Sequence, residues 1–354
     1  MKPVFHLITT IERGGAEKQL LILAKEQVFS GRDVHIGYLK GVPELQTQLE
    51  DIGVTVHREL SNRSVISQIR ILRELTRHKG FVLHAHLPRA ELIASIGYKD
   101  DDFFVSRHNA EPFFPGAPKL VSRVGSLFAT RRARGVIAIS KAVAAYLIQN
   151  KEIRKTKNLK VVLYGYEPQK ISGVQPLKDN PKSLKLGTIS RLTNQKDIPT
   201  LLVAFSEVSN AIPSATLEII GDGPLRKQME KLTESLGLSS KVTFLGRTGE
   251  INKYLSMWDI FLLTSKYEGF GLVLLEAMDQ NIPIVASNNS AIPEVLGEEF
   301  PGLCRTGEPS DFASKVMEIS RENQRELYQR IQKNRLLIFG STGMRQKIDA
   351  VYSS

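Results

Sequence analysis

Four charged residues in the second half of this 354-residue chain have types and spacings suited to joint chemistry: Arg191, Lys196, Glu268 and Glu276. Arg191 and Lys196 leave a single loop after the strand-like run 184–189. A planar guanidinium fork and a point-charge ammonium on one loop can converge on one anionic group, and a diphosphate suits them. Glu268 opens the turn Glu268-Gly269-Phe270-Gly271-Leu272-Val273 after a second strand-like run, 260–264, and Glu276 follows eight positions later. Gly269 and Gly271 around Phe270 permit a tight turn, and a helix beginning near Gly271 presents unpaired N–H groups that favour phosphate. This puts Glu268 on the loop and Glu276 about one turn into the helix, both toward the strand-end side, where two carboxylates can bind hydroxyl-bearing groups. Taken alone, the segment also reads as an ordinary strand-to-helix turn with a solvated glutamate.

The first half carries weaker signals. Gly14-Gly15-Ala16-Glu17 follows the run 4–9 and opens a helical pattern, either as a plain helix start or as a ligand loop. Ser106-Arg107-His108-Asn109 closes another run, and Glu111, Pro112, Phe113 and Phe114 come next. His6, His84 and His86 read as packing or hydrogen-bonding residues, with no metal cluster expected among them. Cys304 is the single cysteine, so it closes no intrachain disulfide; it has no partner at zinc spacing and is expected to pack.

The elements that must position these residues recur in two series. Short β-branched runs at 4–9, 34–39, 82–86, 103–106, 136–139 and 161–164 alternate with helical patterns, and a second series restarts at 184–189, 217–220, 242–245, 260–264 and 284–286. Each series predicts a parallel sheet wrapped by helices, an α/β doubly wound domain. The intervening stretch holds Pro168, Gly173, Pro176 and Pro181 without a sustained period, and reads as a linker over 166–183. The expected organisation is a first domain over 1–165 and a second over 184–340, with a helix at 341–354 returning to the first. Two such domains are expected to face a central cleft lined by the strand-end loops.

The residues above resemble retaining GT-B glycosyltransferases of family 4. The resemblance extends through Leu217-Glu218-Ile219-Ile220-Gly221-Asp222-Gly223-Pro224, Val242-Thr243-Phe244-Leu245-Gly246, Glu268 to Glu276, Pro283 to Ala286, and Ile292-Pro293-Glu294-Val295, in the family's order. It implies a GT-B fold of two Rossmann-like domains. It further implies that Arg191 and Lys196 neutralise the donor diphosphate, Glu268 holds hydroxyls of the transferred sugar and Glu276 those of the ribose. Backbone near Gly246 and Arg247 reads the base, and the amides of Gly269, Phe270, Gly271, Leu272 and Val273 sit against sugar and phosphates. In the first domain, Gly14 and Gly15 resemble the family's glycine loop, and His108 resembles its active-site histidine beside the transferring sugar. The segment Glu111 to Phe114 is then a place to grip an acceptor. The chain departs from the family pattern at Tyr164-Gly165-Tyr166-Glu167, at Ser190 and at Ser290-Ala291, where relatives often carry glycine or an asparagine-glycine turn.

The expected activity is transfer of a hexosyl-type sugar from a UDP- or GDP-sugar co-substrate to a lipid-linked or glycan acceptor, with retention, in cell-envelope or polysaccharide biosynthesis. Neither a cofactor nor a metal is expected, since two cations and helix-end amides can carry the phosphate charge. Competing readings are a nucleotide-sugar epimerase of the same fold and a non-catalytic sugar-nucleotide-binding protein. The net charge of +11 resides entirely in residues 1–180. By charge alone, this basic half suits acidic lipid, a lipid-phosphate acceptor or nucleic acid. RNA-recognition and zinc-finger motifs are absent, so nucleic acid is not an expected partner. Leu120, Val124, Leu127 and Phe128 lie at helical spacing among Lys119, Arg123, Arg131, Arg132 and Arg134, which makes 119–134 the candidate contact with an anionic membrane. No signal-peptide core or bilayer-spanning run is read, so the expected location is cytoplasmic with peripheral membrane contact.

Overall fold

The computed structural model describes residues 1–77, 79–153, 158–168, 183–320 and 322–354. Two compact units result: Met1–Glu167 with Phe339–Ser354, and Pro168–Ile338. Of the linker read at 166–183, residues 169–182 lie outside the described set.

The first unit is built on seven parallel strands: β1 Val4–Ile8, β2 Val34–Tyr38, β3 Thr55–His57, β4 Val82–His86, β5 Phe103–Arg107, β6 Gly135–Ala138 and β7 Leu159–Val161. Their order across the sheet is β3-β2-β1-β4-β5-β6-β7. Successive side chains point to opposite faces, and each face has its own core. Val4, Ile8, Ile36 and Phe104 pack with Leu20 and Leu23 of helix Gly15–Phe29, and with Met344, Ile348, Val351 and Tyr352 of helix Ser341–Ser353. Phe5, Leu7, Leu83 and Val105 meet Leu72 and Ile93 on the other face. Burial on both faces explains why these strands read as continuous apolar runs.

The second unit has six parallel strands: β8 Lys185–Ile189, β9 Thr216–Ile220, β10 Val242–Gly246, β11 Ile260–Leu263, β12 Ile284–Ser287 and β13 Leu303–Cys304. Their order is β10-β9-β8-β11-β12-β13. The chain winds outward from β8 to β10 and then returns to start again at β11, so the loops after β8 and β11 part in opposite directions. Such a switch point is where ligands bind in open α/β sheets. Gly187 in β8 is needed for packing, because a Cβ there would lie 1.9 Å from the Trp258 ring.

Both units are Rossmann-like and doubly wound, the fold class expected from the sequence. Three strands differ from that reading. β3 and β13 were not anticipated, being three and two residues long at sheet edges. The run expected at 161–164 pairs with β6 only over Leu159–Val161. Val162, Tyr164 and Tyr166 are buried, and their apolar alternation carries on past the point where pairing to β6 stops.

Candidate functional site

In the second unit the loops after β8 and β11 are joined by side chains and backbone. The Lys266 N–H donates to the Gln195 carbonyl at 2.8 Å, the Gln195 amide donates to the Tyr267 carbonyl at 2.9 Å, and the Thr264 hydroxyl donates to the carbonyls of Lys196 and Asp197 at 3.1 Å. This zipper brings Lys196 Nζ to 2.5 Å from Glu268 Oε1, an oxygen that also accepts from the Ser265 hydroxyl at 2.7 Å. Glu268 is buried, and Ser290 Oγ donates to its backbone carbonyl at 2.7 Å. Arg191 is exposed and forms no ion pair among the described residues.

The Gly221 to Pro224 turn braces the loop of Arg191. A Cβ on Gly221 would lie 2.0 Å from the Ser190 carbonyl oxygen, and one on Gly223 would lie 2.4 Å from that of Leu192. The Leu192 N–H donates to the Asp222 carbonyl at 3.1 Å, and the Gly221 N–H donates to the carbonyl of Gly246 at 2.7 Å. Gly246, with φ 71°, ends β10, and Arg247 beyond it is exposed.

Helix Leu272–Asp279 begins at Gly271, whose φ of 90° favours glycine. Phe270 is buried and anchors the turn, while Gly269, Leu272, Val273 and Glu276 are half-buried. The first-turn amides and Glu276 therefore sit on the segment that leads out of the Glu268 loop. Sequence reading passed over Ser265 and Arg226, and noted Ser290 only as a departure from the family pattern and Gln195 only as part of the Arg191–Lys196 loop. Arg226 donates to the Phe244 carbonyl at 3.2 Å beside Gly246. Single polar residues without a motif gave no signal for these contacts.

In the first unit, Gly14 precedes helix Gly15–Phe29 and Glu17 lies in its first turn. The Glu17 carboxylate folds back over Gly14, where a Cβ would meet it at 2.3 Å, and accepts from the Thr10 hydroxyl at 2.6 Å. Gly15 is exposed. His108, half-buried just beyond β5, has both ring nitrogens engaged: Nε2 lies 3.1 Å from His86 Nδ1, and Nδ1 meets the Tyr164 hydroxyl. Burial, with the charge of Arg107 adding to it, lowers the His108 pKa to about 3. Tyr164 is pushed far above its ordinary range by burial and by Glu17.

Arg107 itself is buried between two carboxylates, 3.0 Å from Glu91 and 3.8 Å from Glu152, over the Phe113 ring. One cation faces two buried acids, and burial raises both, Glu91 to about 7. Phe113 is thus a packing residue of this network.

His6, His84 and His86, read as packing or hydrogen-bonding residues, lie close together, with one ring nitrogen of each within 4.8 Å of the other two. β1 and β4 pair in register with His6 opposite His84, and His86 is two residues on, so all three project to one face. Every ring nitrogen already has a protein partner. His84 meets the Tyr352 hydroxyl at 2.6 Å and Ser106 Oγ at 2.7 Å. His6 meets Gln27 at 2.8 Å and His86 at 3.0 Å.

Residues 172–336 match the family model described as glycosyl transferases group 1. Among curated proteins, the N-acetyl-alpha-D-glucosaminyl L-malate synthase of Bacillus anthracis is 31% identical over 137 residues, covering 38% of this chain and 36% of the relative. A GDP-mannose-dependent alpha-(1-6)-phosphatidylinositol monomannoside mannosyltransferase of Mycobacterium tuberculosis is 30% identical over 147 residues, covering 39% and 38%. The matched stretch thus spans little more than a third of either relative. Over the whole of both chains, the fold superimposes with a TM-score of 0.82 and 22% identity on Anabaena Alr3699/HepE in complex with UDP and glucose.

Proposed function

We propose, from the premise that residues 172–336 belong to the glycosyl transferases group 1 family, that this protein moves a hexosyl sugar from a UDP- or GDP-linked donor to a lipid-linked or glycan acceptor. One observation carries the reading: the loops of Lys196 and Glu268 are locked together at the switch point of the second sheet, with Lys196 Nζ 2.5 Å from Glu268.

Cleavage of the bond from the anomeric carbon to the diphosphate builds negative charge on phosphate oxygen and positive charge on the sugar ring. Arg191 and Lys196 supply the cations for the first, and the amides that open helix Leu272–Asp279 supply oriented dipoles. Glu268 takes hydroxyls of the sugar and Glu276 those of the ribose. On donor entry, Lys196 exchanges its carboxylate partner for phosphate oxygen. Phosphate charge is met by side chains and amides, so the proposed reaction needs no divalent ion. The leaving phosphate accepts the proton of the attacking hydroxyl on the face it departs from, which retains the anomeric configuration. His108 and the Gly14-Gly15 turn are assigned to the acceptor side, in the first unit.

The relatives differ by name, one a synthase of N-acetyl-alpha-D-glucosaminyl L-malate and the other a phosphatidylinositol monomannoside mannosyltransferase. A membrane-borne acceptor is favoured here by helix Lys119–Thr130. Its buried residues are the small Ser122, Ser126, Ala129 and Thr130, whereas Leu120, Val121, Val124 and Phe128 are exposed. Lys119, Arg123 and Arg131 flank that apolar face, and we assign it to contact with an anionic membrane. Arg132 and Arg134 are engaged elsewhere, on backbone carbonyls and on Asp102. No helix among the described residues is long and apolar enough to cross a membrane.

The test is a panel of UDP- and GDP-sugars, read first by thermal stability and then by sugar transfer to lipid and glycan acceptors. A donor at about 100 times its Kd raises stability by about 2.7 kcal/mol. Stabilisation without turnover would favour the binding-protein reading, and an inverted sugar stereocentre without transfer the epimerase.

A further inference from the structure

Three imidazole rings lie in series behind the first unit's candidate site. Gln27 Oε1 is 2.8 Å from His6 Nε2, His6 Nδ1 is 3.0 Å from His86 Nε2, and His86 Nδ1 is 3.1 Å from His108 Nε2. His108 Nδ1 then meets the Tyr164 hydroxyl. Gln27 and His6 are fully buried, and His86 is nearly so. The rings share the sheet face that otherwise holds Val4, Ile8, Leu20 and Leu23, where an unsatisfied polar atom is costly.

A neutral imidazole has one donor and one acceptor. Each contact between rings here runs from an Nε2 to an Nδ1, so it needs one proton and no more. Once Gln27 Oε1 accepts from His6 Nε2, His6 Nδ1 must accept from His86 Nε2. His86 Nδ1 must then accept from His108 Nε2, and His108 Nδ1 from Tyr164. The choice made at Gln27 propagates ring by ring.

We propose that His6 and His86 are positioning residues which, anchored by Gln27, fix His108 as the tautomer protonated on Nε2 and thereby make Tyr164 the donor to His108 Nδ1. A charged ring would break the series, because an imidazolium donates from both nitrogens. Burial opposes that charge, holding His6 at about 4 and His108 at about 3. The ionisable groups facing the series are Arg32 at His6, Arg107 at His108, Glu17 at Tyr164 and His84 against the rings of His6 and His86. The tautomer claim stands on geometry in the first unit. Only its kinetic consequence rests on the proposed function of His108.

The experiment is a two-bond proton–nitrogen correlation spectrum of the full chain labelled with 15N-histidine, recorded between pH 6 and pH 8. His6, His86 and His108 are expected to show Nε2–H with bare Nδ1, and none to titrate. Gln27→Met removes the anchor without adding charge, and His86→Phe cuts the series. Both are expected to convert His108 to a mixture of tautomers, whereas His86→Gln, whose carbonyl can accept from His108 while its amide N–H donates to His6, restores the single form. Should His86→Phe fail to fold, Gln27→Met reports the same coupling from two rings away. Nδ1–H on any of the three rings of the unsubstituted protein overturns the proposal. So does a His108 spectrum unchanged in Gln27→Met and His86→Phe. In turnover, a misplaced His108 is expected to lower kcat by up to about a hundredfold, with donor KM unchanged. A tautomer change with no change in kcat would leave the relay standing and remove His108 from the chemistry.

Discussion

Lys196 Nζ and Glu268 Oε1, 72 residues apart in sequence, face each other at 2.5 Å in the second unit. The cation assigned to phosphate and the carboxylate assigned to sugar hydroxyls are therefore each other's partners before any donor arrives. Lys196→Ala and Glu268→Gln are each expected to lower kcat by about 10²–10³, the scale of losing one transition-state charge contact. Each also leaves a largely buried partner uncompensated, at about 3 kcal/mol of stability. The double variant Lys196→Ala/Glu268→Gln should cost less than the sum of the singles in a denaturant cycle. Strict additivity would mean that the pair does not interact in solution.

Ser290 holds φ at 55°, a conformation that glycine adopts without cost, while its hydroxyl supports the Glu268 carbonyl. Ser290→Ala keeps the backbone strain and loses the hydrogen bond, so about 1 kcal/mol of stability should go. Ser290→Gly trades strain relief of about 1 kcal/mol against the same bond, leaving stability near that of the parent. Equal denaturation midpoints for Ala and Gly would show that the backbone angle is not held in solution.

The histidines of the first unit make a signed pH prediction. Burial lowers His6 to about 4 and His108 to about 3, and holds His84 and His86 well below 6.5. Their contribution is present above the unfolded value near 6.5 and is lost as the pH falls, because the unfolded chain binds protons that the folded one refuses. Each such proton is worth about 1.4 kcal/mol per pH unit. Glu91, raised to about 7, works the other way: its contribution is present below about 4.5 and is lost as the pH rises through 7. With His35 also lowered and Glu152 also raised, five imidazoles outweigh two carboxyls, so amides of β1 and β4 should be less protected at pH 5 than at pH 7 once corrected for their intrinsic exchange rates. Trp258, the single tryptophan, lies in the second unit, and its fluorescence transition should move less. Identical shifts of both probes would contradict the assignment to the histidines.

Contact with membrane is expected to need both parts of helix Lys119–Thr130. Co-sedimentation with anionic vesicles should be strong at low salt and weaken as the Debye length shrinks toward about 8 Å at physiological ionic strength. Leu120→Glu and Val124→Glu, at positions 68% and 58% exposed, should abolish it without loss of fold. Binding that survives both substitutions would place the contact elsewhere.

Much of the second unit's site was legible because it is local. The Glu268-Gly269-Phe270-Gly271 turn and Glu276 lie within one strand–loop–helix unit, and Arg191 and Lys196 within one loop. The pairing of Lys196 with Glu268 was not legible, since it depends on β8 and β11 becoming neighbours although two strands intervene in sequence. The proximity of the histidines was not legible for the same reason. His6 and His84 are 78 residues apart, and only the register of β1 on β4 makes them opposite. Helix Lys119–Thr130 showed its apolar spacing in sequence, but which face turns inward was decided by the small Ser122, Ser126 and Ala129, which are buried.

Tyr166 bridges Gly340, and Met344, Ile348, Val351 and Tyr352 complete the core behind β1 and β4. On a ribosome the amino-terminal unit is therefore the one that must wait. Its sheet can be drafted early, but His84 lacks the Tyr352 hydroxyl until residues more than 260 positions downstream have emerged. The later-made unit can close first, which reverses the usual order of domain maturation during synthesis.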